Sequence, residues 1–175
     1  MIDRSSMRAP WYWFVCLLVA ALAAGCTTVK LVADYDEQID KGATALQKDM
    51  ETFLVKLESS ADTPKAKVEA YLKHKQFYDD SQIAVRALRV RADATERNSL
   101  TVRMLDRIES NLLLMQDMDK EGLERQEIAL LRGAFTSQFT AVLTFELAKK
   151  RGEKPDENKA TAAATQVVIQ KELAK

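Results

Sequence analysis

Apolar residues recur at gaps of three and four along most of the chain, the spacing that places side chains on one face of an α-helix. The first such stripe comprises Val32, Tyr35, Ile39, Ala43, Leu46, Met50, Phe53 and Leu57. It predicts one amphipathic helix from Thr27 to Ser59. Gly42 interrupts this helix at a cost of about 1 kcal/mol relative to alanine, so we interpret it as a point where a neighbouring helix approaches closely.

A second long stretch, from Pro64 to Gly122, has no glycine or proline between these two residues and has room for one or two helices. Pro64 itself suits a first helical turn, where its missing N–H is not needed. The stripe runs through Val68, Tyr71, Phe77 or Tyr78, Ala84 or Val85, Leu88 and Ala92, and then through Leu105, Ile108, Leu112 and Met115. Because asparagine and serine favour helix starts, Asn98 and Ser99 predict a turn between two helices. One continuous helix is the alternative.

The last long stripe follows a turn predicted from Met118 to Gly122 and ends near Arg151 and Gly152. It comprises Leu123, Ile128, Leu131, Phe135, Phe139, Val142 and Phe145. Lysines in the last turn of this helix suit the negative end of its dipole, and the glycine suits its cap. Residues 156–175 are rich in alanine and lysine, so they predict a polar tail or a short helix, and whether this segment docks stays open.

These patterns predict an all-α fold, an antiparallel bundle of about four long amphipathic helices over residues 26–155. No alternating apolar run or hairpin turn predicts a strand. The composition agrees, because 47% hydrophobic residues exclude wholesale disorder and 30% charged residues exclude an integral bundle of membrane helices. The net charge of zero argues against nucleic acid as a partner, since such binders carry a concentrated basic face.

The start of the chain has a different pattern. Arg4 and Arg8 precede an uncharged stretch from Trp11 to Ala24, which is long enough for a signal peptide but shorter than the roughly 20 residues of a membrane span. The stretch ends in Leu22-Ala23-Ala24-Gly25-Cys26, where small residues precede a cysteine. This sequence resembles the lipobox of bacterial lipoproteins, in which a peptidase cleaves before the cysteine and lipid is attached to its thiol.

The resemblance implies that residues 1–25 are a cleaved signal peptide and that palmitate-containing lipid on Cys26 anchors the protein in a membrane. In Gram-negative lipoproteins, an aspartate after the cysteine resembles a signal for retention in the inner membrane. Thr27 stands there instead, which implies the outer membrane, with the domain facing the periplasm. The alternative is an uncleaved anchor helix from Trp11 to Val32, which the polar residues around Lys30 disfavour.

The mature chain would then have no free thiol. Cys16 leaves with the signal peptide and Cys26 takes the lipid, so the domain has no cysteine for a disulfide or a metal site. Packing alone must stabilise it.

Candidate catalytic and metal-binding residues are few. His74 is the only histidine and lies at the edge of its stripe, so the Glu-x-x-His pairs of a di-iron bundle cannot be formed. A haem held by histidine and methionine is possible in principle, but no Cys-x-x-Cys-His motif occurs. We interpret Asp79-Asp80, and Asp117 with Asp119, as solvated faces or helix caps rather than paired catalytic carboxylates. Glycine-rich phosphate loops do not occur in the sequence. We therefore expect no enzyme, no cofactor and no metal.

Arginines concentrate in the second long stretch. A candidate face for anions or for an acidic partner comprises Arg86, Arg89, Arg97 and Arg103. The acidic residues interleaved with it are Asp93, Glu96, Asp106 and Glu109. This alternation favours ion pairs along the helices over a dedicated anion-binding face.

These observations predict an envelope lipoprotein, a non-enzymatic structural or protein-interaction component on the periplasmic side of the outer membrane. Its partners are the membrane, through Cys26, and an envelope protein or the cell wall. The alternative is a bundle that binds a small ligand between its helices. A void beside Phe135, Phe139 or Met115 would favour that alternative, whereas the helical spacing of the phenylalanines predicts a filled core.

Overall fold

Five α-helices make up most of the described chain. The structure is a computed structural model that describes residue 13 and residues 32–60, 67–153 and 156–165. The helices are α1 (Glu37–Ser60), α2 (Lys67–Asp93), α3 (Ser99–Glu121), α4 (Arg125–Lys150) and α5 (Glu157–Thr165). No strand occurs in these ranges. The chain divides into two units, Met1–Leu31 and Val32–Lys175, and all five helices belong to the second. Cys26 and the predicted lipobox lie outside the described residues.

The four long helices pack as a closed ring of neighbours. Helix α1 contacts α2 and α4, and α3 contacts the same two helices from the other side. Neighbours are antiparallel, because the end of one helix meets the start of the next: Arg91 pairs with Asp36, and His74 with Asp119. The predicted all-α bundle is confirmed. The short α5 packs against α3 and α4 and buries Ala160 between them.

Helix α1 begins later than the sequence pattern predicted. Residues 32–36 are not helical, so the prediction of a helix from Thr27 is wrong at these residues. One carboxylate oxygen of Asp36 accepts the backbone N–H groups of Gln38 at 2.8 Å and Ile39 at 3.4 Å, which caps the helix at Glu37. The apolar stripe predicted too early a helix start because Val32 packs against the core although its backbone is not helical.

The turn between α2 and α3 confirms two helices instead of one. Arg97 has a left-handed backbone with φ of 63°, which reverses the chain just before α3. Asn98 precedes the helix as predicted, but its side chain makes no capping hydrogen bond. Its side-chain oxygen instead accepts a hydrogen bond from Lys149 of α4 at 2.8 Å. The asparagine therefore joins two helices rather than capping one.

The turn between α3 and α4 is shorter than predicted, since α3 continues to Glu121. Gly122 then takes a φ of 91°, a backbone conformation that favours glycine. At the far end of α4, Gly152 has a φ of 68° and its N–H donates to the carbonyl of Lys149, as expected for a glycine that ends a helix.

The core lies along the axis of the ring and contains the centres of the predicted stripes. Fully or almost fully buried side chains include Leu46, Phe53, Leu112, Met115, Leu131, Phe135, Phe139 and Phe145. In α2 the sequence left two choices open: Tyr78 and Val85 enter the core, whereas Phe77 and Ala84 are only partly buried against it. The apolar cluster Val167-Val168-Ile169 lies outside the described residues.

Helix α4 is the most apolar of the long helices. Among the described residues it is the one helix long and apolar enough to cross a membrane, judged by length and composition. Core helices pass the same test. Ten of its side chains are buried, among them Ile128, Val142 and Phe145, so its apolar face belongs to the bundle core.

Candidate functional site: the groove between α1 and α2

A groove of about 660 Å³ runs between α1 and α2. Its apolar floor comprises Leu46, Phe53, Phe77, Ala84 and Leu88. Its polar rim comprises Asp49, Thr52, Lys56, Lys73, His74, Gln76, Asp80 and Ser81. This volume is in the range of small-molecule sites, and a mostly apolar floor with a few polar groups is their usual chemistry. The lining of this groove contains none of Phe135, Phe139 and Met115, beside which a ligand void was predicted.

An aromatic pair forms the middle of the groove. The rings of Phe53 and Phe77 stack with centroids 3.8 Å apart and planes inclined by 12°. Tyr78 meets Phe53 edge-on at 5.4 Å from the core side. Because both phenylalanines come from facing helices, they fix the register of α1 against α2.

Charges bracket this aromatic pair. Lys56 follows Phe53 by three residues, and Lys73 precedes Phe77 by four, so in antiparallel helices both lysines lie on the same side of the pair. By the same count, Asp49 and Asp80 both lie on the other side. Seven helical residues separate the two levels, which is about 10 Å along the groove. The groove thus has a cationic level and an anionic level.

His74 lies at the cationic end, where its Nδ1 is 2.8 Å from a carboxylate oxygen of Asp119 on α3. The same oxygen accepts the hydroxyl of Tyr78 at 3.1 Å. Because an ionised carboxylate can only accept, it holds the proton of the imidazole on Nδ1. Burial, together with the neighbouring Asp119, raises the pKa of the Tyr78 hydroxyl well above its usual range, so the hydroxyl stays a donor.

Asp119 differs from its prediction. Its side chain is 5% exposed, and it is neither a solvated residue nor a helix cap. The other three aspartates of the predicted pairs, Asp79, Asp80 and Asp117, are exposed as expected. His74 lies where the stripe placed it, at a boundary, with 21% of its side chain exposed.

The hydrogen bond to Asp119 is the one contact of this kind that His74 makes within the described ranges. Thr52, on the opposite wall, donates its hydroxyl to the carbonyl of Lys48 at 2.8 Å. Ser81 lies two turns from His74 on the same helix, roughly 10 Å along its axis. The arrangement orients an imidazole toward the groove without placing a hydroxyl nucleophile against it. Among the described residues no group of three or more candidate ligands could hold a metal ion.

The predicted arginine face is mostly an ion-pair layer between α2 and α3. Arg86 contacts Glu109 with its Nε at 2.6 Å, and Arg89 pairs with Asp106. The interleaved charges therefore pair between helices and not along one helix. Arg97 and Arg103 are exposed. Arg86 and Arg89 are thus already neutralised by acidic partners.

A second polar cluster, buried at the other end of the bundle, was missed by the sequence analysis. The ammonium of Lys149 lies 2.7 Å from a carboxylate oxygen of Glu146, and both side chains are almost completely buried. It also donates to Asn98, and Thr101 donates to the same carboxylate at 2.9 Å. The sequence suggested only that Lys149 suits a helix end. Its burial depends on partners about 50 positions away, which no local pattern reveals.

The outer face of α2 carries exposed apolar side chains. Leu72, Ile83 and Val90 are each more than 60% exposed. Their spacing of eleven and seven residues places them on one face of the helix.

Comparisons of the chain with family models, with curated proteins and with solved structures give no match. The class defined by the fold is an all-α, antiparallel four-helix bundle with a fifth short helix packed on one side.

Proposed function

We propose that this protein is an envelope lipoprotein, held to the outer membrane by lipid on Cys26, whose helical domain faces the periplasm. The observation that carries the proposal is the run Leu22-Ala23-Ala24-Gly25-Cys26 after a charged and then apolar leader. The bundle is consistent with it, because the compact unit Val32–Lys175 contains no cysteine and buries its apolar stripes by packing.

Metabolic labelling with a fatty acid tests the anchor. Cys26→Ala should abolish the label and leave a heavier, uncleaved precursor, whereas Cys16→Ala in the leader should still be labelled and cleaved. Label retained by Cys26→Ala would refute the assignment. Membrane fractionation tests the location: the chain should fractionate with the outer membrane, and Thr27→Asp should shift it to the inner membrane.

We infer that the domain is non-enzymatic and acts through contact with other envelope components. The exposed apolar side chains of Leu72, Ile83 and Val90, on the outer face of α2, are available for such contacts. A photocrosslinking residue at Ile83 should give a discrete adduct in the intact envelope, and one at the exposed Thr136 of α4 should not. Equal labelling at the two positions would argue against a specific contact.

A second candidate function, binding of a small ligand, is favoured by the groove between α1 and α2. The core beside Phe135, Phe139 and Met115 is made of buried side chains, so the ligand site would be this groove and not the centre of the bundle. Ring signals of His74 test it directly, because the chain has a single histidine and this residue lines the groove.

A further inference from the structure

We propose that the groove between α1 and α2 binds a short peptide with a free amino end and a free carboxyl end. This inference rests on the second candidate function and specifies its ligand. The peptide carboxylate faces Lys56 and Lys73, its ammonium group faces Asp49 and Asp80, and an apolar side chain between them packs against the aromatic pair.

The first argument is the arrangement of like charges across the groove. Two lysines from different helices share one level, and two aspartates share another. At other helix contacts opposite charges meet, as in Arg86 of α2 with Glu109 of α3 and Arg132 of α4 with Glu58 of α1. Two exposed aspartates at one level favour a positively charged group between them.

The second argument is that three of these four charges are not paired within the described part of the bundle. Within the described ranges, Asp49, Asp80 and Lys73 have no ion-pair partner, although most other acidic residues at helix contacts do. Their side chains are exposed in the groove, so a ligand can reach them without unfolding any helix.

The third argument is distance. The cationic and anionic levels are separated by seven helical residues, or about 10 Å. An extended peptide advances roughly 3.3–3.6 Å per residue, so three residues place an ammonium and a carboxylate about 10 Å apart. The groove volume of about 660 Å³ is that of a small-ligand site and accommodates such a peptide.

The floor supplies the remaining contacts. Phe77, partly exposed and stacked on the buried Phe53, offers an apolar surface at the midpoint of the two charged levels, where the central side chain of a tripeptide would lie. Polar side chains on the rim, Gln76 and Ser81 among them, offer hydrogen-bonding groups to the peptide backbone. The composition of the groove therefore selects a zwitterion with an apolar middle.

The test uses the full chain in detergent and the tripeptide Ala-Phe-Ala. We expect Ala-Phe-Ala with free termini to shift the His74 ring signals in a saturable way. Acetylation of its amino end or amidation of its carboxyl end should each weaken binding by about two- to fivefold, since an exposed charged contact of about 0.5–1 kcal/mol corresponds to that factor. Equal binding of the free and the doubly capped peptide would overturn the proposal.

Variants assign the contacts. Asp80→Lys should weaken the free peptide about tenfold or more and remove the effect of amino-terminal acetylation. Lys73→Glu should weaken binding of the free peptide to a similar extent and remove the effect of amidating its carboxyl end. Lys75→Glu and Asp79→Lys are matched controls, because these exposed residues pair with each other on α2 outside the groove lining, and they should leave binding unchanged. Thermal unfolding of each variant confirms that the bundle is intact.

Failure of this inference differs from failure of the candidate function. A neutral aromatic compound such as N-acetylphenylalanine amide that shifts the His74 signals, while the charged ends of Ala-Phe-Ala make no difference, would keep ligand binding and overturn the zwitterionic specificity. No shift with either probe would overturn both. The lipid anchor is tested separately, by fatty-acid labelling of Cys26.

Discussion

A β-carbon added to Gly42 would lie 2.5 Å from the Cδ2 atom of Leu88, so the two residues mark a close approach of α1 to α2. This confirms the interpretation of Gly42 drawn from the sequence. The contact lies at one end of the groove, because both residues also line it. A glycine in the second turn of α1 therefore has a packing reason that offsets its poor helix propensity.

Substituting the two helical glycines should have different effects. A β-carbon on Gly133 meets nothing within 4 Å, so Gly133→Ala should stabilise the protein by up to about 1 kcal/mol through helix propensity. Gly42→Ala should gain less, because the end of the Leu88 side chain must move. Chemical denaturation of the full chain measures both. In a Leu88→Ala background, the stability gained by Gly42→Ala should approach that gained by Gly133→Ala. If Gly42→Ala gave the same gain with Leu88 still present, the packing argument would be wrong.

Removing the buried carboxylate of Asp119 should be costly. Asp119→Ala leaves His74 and Tyr78 without their acceptor, and we expect a loss of about 2–4 kcal/mol in the free energy of unfolding. Asp117→Ala is the matched control: this residue is exposed and pairs only with Lys120 one turn away, so its loss should be within about 0.5 kcal/mol. Similar costs for the two changes would mean that Asp119 is solvated after all.

Truncating a core residue to alanine should lower the free energy of unfolding more than truncating an exposed apolar residue on the same helix. Phe135 is almost fully buried, and Phe135→Ala should cost about 3–5 kcal/mol through lost burial and a residual cavity. Leu130→Ala, five positions earlier and about half exposed, should cost far less. His74→Ala should also cost less than Phe135→Ala, because the imidazole lies at a boundary. Equal effects of His74→Ala and Phe135→Ala would refute that placement.

Because Asp36 caps α1, the free energy of unfolding should depend on pH in the acid range. Partial burial raises the pKa of Asp36, but hydrogen bonds from Arg91 and from the backbone of Gln38 and Ile39 lower it by more, so it lies below its usual value. A carboxyl whose folded pKa is depressed stabilises the fold above its unfolded pKa, and this contribution is lost as the pH falls through the folded value.

Asp36→Ala should therefore cost about 1 kcal/mol at neutral pH, and its difference from the unchanged protein should shrink below about pH 4. Denaturation at a series of pH values measures this difference. Glu96→Ala, which removes an exposed carboxylate in the turn after α2, provides the control. A difference for Asp36→Ala that stays constant into acid would show that the carboxylate charge does not stabilise this helix start.

Much of the fold could be read from the sequence because the bundle obeys helical spacing. Leu112, Leu131 and Phe135 fall at the centres of their stripes, and all three are buried. Spacing alone failed where apolar residues pack without being helical, as Val32 does before α1. It also could not choose between Phe77 and Tyr78, because adjacent positions on α2 face two different surfaces, the groove and the core.

The candidate site was predictable only in part. Phe53 and Leu88 belonged to the predicted stripes, but Asp49, Lys73 and Asp80 occupied ordinary polar positions in the sequence. Their meaning depends on the register of α1 against α2, which only the folded structure supplies. Asp119 was misread for a related reason: its partners lie more than 40 positions away, and local sequence gives no sign that a carboxylate will be buried by them.

The segment that precedes α1 is bonded to the end of α2 and to the turn after it. The N–H of Ala33 donates to the carbonyl of Arg97 at 3.2 Å, and Asp36 pairs with Arg91 at 2.6 Å. With the proposed lipid on Cys26, any tension between the membrane and a bound partner would enter the domain here. The load would pass at once into the end of α2 and the turn that follows it, so a pull on the tether would strain two helices together instead of peeling α1 from the bundle alone.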